Sequence, residues 1–130
     1  MLCPKCSGEL APQTYKDAIT VHRCGDCAGL FCKPEMLAQM KQEWLSEAVL
    51  DIGDPKVGRA LNEIANVHCP ECQSVMRETV DERQTHIWFE ECPSCLGIWL
   101  DAGEFTDLKY DTLLDRIKSL LAGRRPTAPK

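Results

Sequence analysis

No run in the 130-residue sequence approaches the roughly 18 apolar residues that a membrane-spanning helix needs, so no span is expected. Met1-Leu2 leads straight into Cys3, where a charged and then apolar leader would stand, so a reduced, cytosolic protein is expected. Aromatic residues make up only 6% of the chain, and histidines number three. No Ser/His/Asp or Cys/His grouping stands out, so a hydrolytic or thiol-based enzyme is disfavoured. Positive charge is also short. Fifteen Lys and Arg face twenty Asp and Glu, a net charge of −5, and residues 67–101 by themselves carry −5. Affinity for nucleic acid rests mainly on phosphate neutralisation, so that segment is a poor nucleic-acid surface.

Cysteine, by contrast, is abundant, with nine in the chain. Eight of them fall into four Cys-x2-Cys pairs: Cys3/Cys6, Cys24/Cys27, Cys69/Cys72 and Cys92/Cys95. Seventeen residues separate the first two pairs and nineteen separate the last two, a recognised metal-site spacing. Two short turns each offer two thiolates, and a hairpin folds one turn onto the other to make a tetrahedral site. The agreement extends past the cysteines. Ile19 and Val21 stand five and three residues before Cys24, as Ile87 and Phe89 do before Cys92. That period of two marks one buried face of a returning strand. Ala28-Gly29-Leu30-Phe31 matches Leu96-Gly97-Ile98-Trp99, so the unit is a ribbon followed by a helix, used twice.

The expected fold is therefore small, α+β and metal-stabilised. It has ribbon one at 1–33, a helical connector at 34–66, ribbon two at 67–104, an amphipathic helix at 105–122 and a flexible tail at 123–130. Each ribbon is too short to hold itself by an apolar core alone. Pro34 and Glu35 suit a helix start, and Met36, Leu37, Met40, Trp44 and Ala48 share a face if that helix runs to about Leu50. A short helical piece at 56–66 is the expected hinge between two lobes. Asp101 and Glu104 read as a capping pair for the last helix. Beyond them, Tyr110, Leu113, Leu114, Ile117 and Leu121 form a stripe that needs cover, from the Trp44 helix or from another chain.

The phrase Cys69-Pro70-x-Cys72 … Cys92-x2-Cys95-x-Gly97-x-Trp99-Leu100-Asp101-x-Gly103-Glu104 resembles the transcription-factor-IIB-type zinc-finger family of small zinc ribbons. Ribbon one resembles it more loosely, with Phe31 for Trp and Cys32-Lys33-Pro34-Glu35 replacing the closing phrase. The resemblance implies two zinc ions per chain, each held by four cysteines, and carries over no reaction. With those ligand sets complete, His22, His68 and His86 are not needed, and His68 sits where it would tune the neighbouring Cys69 sulfur. Cys32 stands at the position of Leu100 and reads as a small buried hydrophobe, or else as a spare thiol for exchange. Phe31 and Trp99 read as core, and Trp88 either as an exposed contact or as packing for a helix.

The function expected is a zinc-binding, non-enzymatic module that binds another protein, as a monomer or weak homodimer. A nucleic-acid-binding regulator is the alternative, favoured by ribbon analogy and by the basic tail. A rubredoxin-like iron carrier is a third, because tetrahedral sulfur suits iron as well as zinc.

Overall fold

The structure, a computed structural model, describes residues 1–80 and 87–110. In each repeat the first Cys-x2-Cys turn leads into a hairpin and the second into a third, short strand. In the first repeat these are β1 (Leu10–Tyr15), β2 (Ile19–Cys24) and β3 (Leu30–Cys32). In the second they are β4 (Arg77–Val80), β5 (Trp88–Glu91) and β6 (Ile98–Leu100). The two sets do not stay apart. β3 pairs antiparallel with β6, giving one six-stranded sheet in the order β1-β2-β3-β6-β5-β4.

The seam has an internal two-fold. Leu30 faces Leu100, Phe31 faces Trp99 and Cys32 faces Ile98, so the equivalent aromatics meet at the centre. Each then lies over the other repeat's glycine. A Cβ on Gly29 would sit 2.2 Å from the Trp99 ring, and one on Gly97 would sit 2.4 Å from the Phe31 ring. The two lobes expected from the repeat are thus halves of one sheet, because neither third strand is satisfied without the other.

Alternation along the strands gives the sheet two buried faces. Ile19, Val21, Leu30, Cys32, Ile87, Phe89, Ile98 and Leu100 pack under the helices with Leu37, Met40, Leu50, Phe105 and Leu108. Phe31 and Trp99 point the other way, into the cysteine turns, with Val67 and Met76. Cys32 is buried at 3% exposure, the small hydrophobe its position suggested. Burial pushes its thiol up to about 12, which keeps it inert as a nucleophile.

The helices depart from expectation at one place. α1 (Pro34–Gln42) begins with proline in its first turn but stops eight residues early, and α2 (Ser46–Leu50) restarts after Leu45, at φ 61°. The carbonyls that a continuing helix would use are taken by other donors. The Ser46 hydroxyl donates to Met40 O at 2.6 Å, and the Lys109 ammonium donates to Glu43 O. Met36, Leu37 and Met40 therefore reach the core, while Trp44 and Ala48 are exposed.

α3 (Pro55–Leu61), capped by Asp54 Oδ1 accepting from Lys56 N at 2.9 Å, is pinned where a hinge was expected. Its Gly58 lies so close to the 102 peptide that a Cβ would stand 2.0 Å from Ala102 O. Residues 104–110 form α4. Leu113, Leu114, Ile117, Leu121, the tail and His86 lie outside the described residues, and Tyr110 is half exposed.

Candidate metal centres

Each sulfur cluster is built by backbone before any metal is considered. In site one the turn after Cys3 aims the Lys5 and Cys6 N–H groups at Cys3 Sγ, at 3.3 and 3.4 Å. The turn after Cys24 aims the Asp26 and Cys27 N–H groups at Cys24 Sγ, at 3.4 and 3.5 Å. In site two Cys95 N donates to Cys92 Sγ at 3.4 Å. Donors fixed toward sulfur favour the thiolate, the form that binds metal.

The sulfurs converge. Cys3 and Cys27 are 3.7 Å apart and Cys6 and Cys24 3.4 Å in site one. Cys69 and Cys95 are 3.6 Å apart and Cys72 and Cys92 3.3 Å in site two. In both clusters the four ligand atoms lie within 4.8 Å of one another. All eight thiols are free. A zinc with Zn–S bonds of about 2.3 Å needs sulfurs about 3.8 Å apart, so both clusters are positioned to bind one zinc ion each.

The thiols also compete for charge. Bonding to Cys27 draws Cys3 down to about 5 and pushes Cys27 up. Desolvation pushes Cys6 to about 11 and Cys69 to about 12, while Ser74 beside Cys72 draws it to about 6. A dication at the centre removes that competition. Neither His22 nor His68 enters a cluster among the described residues, and His68 is exposed.

A third group of ionisable residues was not anticipated. Lys5, inside the first cysteine turn, is fully buried in the second repeat's territory. Its ammonium lies 2.6 Å from Glu90 Oε1 and 3.3 Å from Asp101 Oδ2, and it donates to the carbonyls of Leu61 and Ile64 at 2.9 Å each. Burial works against this charge, but Glu90 and Asp101 more than offset that and hold the lysine pKa up. Glu90, Asp101 and Glu104 bring carboxylate oxygens together within 4.8 Å, and the cation they enclose is Lys5.

At the place related to Lys5 by the internal two-fold stands Glu71, and it pairs with Lys33, the counterpart of Asp101, at 2.8 Å. The two contacts match in position and are inverted in charge. Two copies of ribbon one would instead set Lys5 against Lys33, and two of ribbon two would set Glu71 against Asp101. The inversion selects the pairing of unlike ribbons.

Asp101 and Glu104 form half of the expected capping pair. Glu104 Oε1 accepts from Asp101 N at 2.5 Å, but Asp101 Oδ1 accepts from Trp99 Nε1 at 2.9 Å instead of returning the bond. The missing cap comes from afar: Asp51 accepts from Gly103 N and Thr106 N at 2.9 Å each, and from the Thr106 hydroxyl at 2.7 Å.

Desolvation, with Asp101 close by, holds the Glu104 carboxyl up at about 9, against about 4.3 unfolded. The folded chain therefore keeps a proton that the unfolded chain releases, and this contribution to stability fades as pH rises from about 4.3 to about 9. Glu104→Gln keeps the cap acceptor without the charge. Its stability gain over wild type should grow from pH 6 to pH 8.5, by at most about 1.4 kcal/mol per unit, reduced by the carboxyl's partial exposure. Urea denaturation of both zinc-loaded proteins checks this, and a gain flat in pH would refute it.

The profile of the TFIIB-type zinc-ribbon family, a transcription factor zinc-finger, matches residues 2–43 and again residues 68–111. No curated protein and no solved structure matches the chain.

Proposed function

The chain belongs to the transcription factor zinc-finger family, and from that premise we propose that it is a non-enzymatic adaptor that binds another protein in the cytoplasm. In this reading Cys3, Cys6, Cys24 and Cys27 ligate one zinc, and Cys69, Cys72, Cys92 and Cys95 the other. Four thiolates leave zinc no open position for water, so the metal's work is to hold the fold.

The observation that carries the reading is a run of exposed apolar residues where α1 breaks from α2. Trp44 is 75% exposed, with Leu45, Val49 and Ile52 beside it in sequence and also exposed. The backbone that presents them is held at some cost. Leu45 in the left-handed region costs about 1–2 kcal/mol, and Tyr15 and Lys109 clamp the Trp44 and Glu43 carbonyls on either side. Large apolar side chains left about half or more in solvent are the usual anchors of a protein interface.

Trp44→Ala should change stability by under about 0.5 kcal/mol. It should also abolish recovery of a protein that the zinc-loaded wild type pulls from a native extract. Equal recovery by both would sink the reading.

The family description favours a nucleic-acid regulator as the second reading. Against it, Lys5, Lys16, Lys33, Arg77 and Lys109 are already paired with carboxylates, and Arg23 donates to the Val49 and Leu50 carbonyls. A sequence-selective, nanomolar gel shift on duplex DNA, against the roughly 10⁻⁴–10⁻⁶ M of non-specific binding, would put that reading first.

A further inference from the structure

The two metal clusters are equivalent in sequence position but not in what surrounds their outermost sulfur. In each, the second cysteine of the first turn is exposed: Cys6 in site one and Cys72 in site two. The other ligands are buried, apart from the half-buried Cys95, whose carbonyl is covered by the Lys33 ammonium at 3.2 Å. The sulfur most open to an attacking reagent is therefore that of Cys6 in site one and Cys72 in site two.

At Cys72 that sulfur has a hydroxyl beside it. Ser74 Oγ lies 3.4 Å from Cys72 Sγ and donates to Ser94 Oγ at 2.9 Å, and Ser94 opens to solvent. The matching places in site one are Gly8 and Asp26. A Cβ on Gly8 would stand 2.6 Å from Asp26 Oδ2 and 2.9 Å from Cys24 Sγ, so site one has no room for the serine. It has a carboxylate there in place of a proton donor.

We propose that Cys72 is a modification site, the zinc-bound sulfur at which a peroxide attacks first, so that site two opens while site one stays closed. The proposal rests on the zinc-site reading above. The Cys72 thiolate attacks one peroxide oxygen and the O–O bond breaks. With Cys72 ionised, the Ser74 hydroxyl turns from Ser94 Oγ toward the leaving oxygen. The departing hydroxide takes its proton, Ser94 returns one from solvent, and a sulfenic acid and water result. Cys92, whose sulfur is 3.3 Å away, then attacks the sulfenic sulfur. A disulfide forms, and the second hydroxide leaves and becomes water on taking a proton. Two thiolates, one peroxide and two protons become one disulfide and two waters, with both electrons supplied by sulfur. Zinc keeps only Cys69 and Cys95 and is lost.

The test uses the full zinc-loaded chain with one equivalent of hydrogen peroxide and a chromogenic zinc indicator, followed by peptide mapping. One zinc per chain should be released with a Cys72–Cys92 disulfide, and Cys3, Cys6, Cys24 and Cys27 should remain unmodified. Ser74→Ala should slow that release by on the order of tenfold, the low side of what a positioned proton donor contributes. N-ethylmaleimide, which needs no proton relay at the sulfur, should still label Cys72 ahead of its cluster mates in the variant.

Site one emptying first, both sites emptying together, or Ser74→Ala releasing zinc at the wild-type rate would each overturn the proposal. The zinc content before oxidant reports on the metal reading separately. Fewer than two per chain would refute that reading, while the mapped order of thiol oxidation would still decide this one.

Discussion

Stripping zinc from site two, by Cys95→Ser, should unfold more than the second ribbon. Structural zinc in small finger peptides contributes on the order of 10–16 kcal/mol of apparent binding free energy. A whole domain is stable by only about 5–15 kcal/mol. Losing one such site therefore removes as much as the fold has. The seam sets how far the loss spreads. Among the described residues β6 is the partner of β3 on its far side, and Trp99 fills the hollow over Gly29 in ribbon one. Amide exchange should rise across 88–100 and, with it, across 30–32. Exchange confined to ribbon two would mean that the halves are independent, and protection retained at 88–100 would mean that the zinc is not structural.

Lys5→Met should cost about 3–5 kcal/mol, the cost of breaking a buried ion pair by removing one partner. The methionine matches the lysine stem in bulk but leaves Glu90 and Asp101 buried without a counter-charge. Glu90 Oε2 already lacks a hydrogen-bond partner among the described residues, and desolvation holds its carboxyl near 7 even with the ammonium present. Adding Glu90→Gln to Lys5→Met should therefore recover part of the loss. In the two-fold-related pair, Lys33→Met removes a half-exposed contact with Glu71 and should cost no more than about 1 kcal/mol. Urea denaturation at fixed zinc measures all three. A loss under about 1 kcal/mol for Lys5→Met would mean that the buried cluster holds nothing together.

The two-fold relation between the Lys5–Asp101 and Lys33–Glu71 pairs was hidden in the sequence even though the repeat was plain. Cysteine spacing is a local quantity, and a turn of four residues either aims its sulfurs inward or does not. The same holds for Ile19, Val21, Ile87 and Phe89, whose alternation alone puts them on one face. Lys5 carried no such signal. A lysine between two cysteines reads as solvated until the other ribbon's Glu90 and Asp101 arrive beside it. Asp51 likewise reads as the end of one helix, and it caps another more than fifty residues on.

What the sequence by itself determined is everything that depends on a few neighbouring residues: two four-cysteine clusters, two zinc-ribbon units, a proline-started helix and the core face of each hairpin. The tertiary structure decided what happens between the units. Strand β3 pairs with β6 because each has an edge of backbone groups to satisfy, and the inverted charges of Lys5–Asp101 and Lys33–Glu71 favour the unlike repeat as partner. α1 stops early because Ser46 and Lys109 take its carbonyls, and Lys109 comes from a helix that is distant in sequence. Those contacts depend on distances between residues far apart in the chain, which no period or spacing encodes.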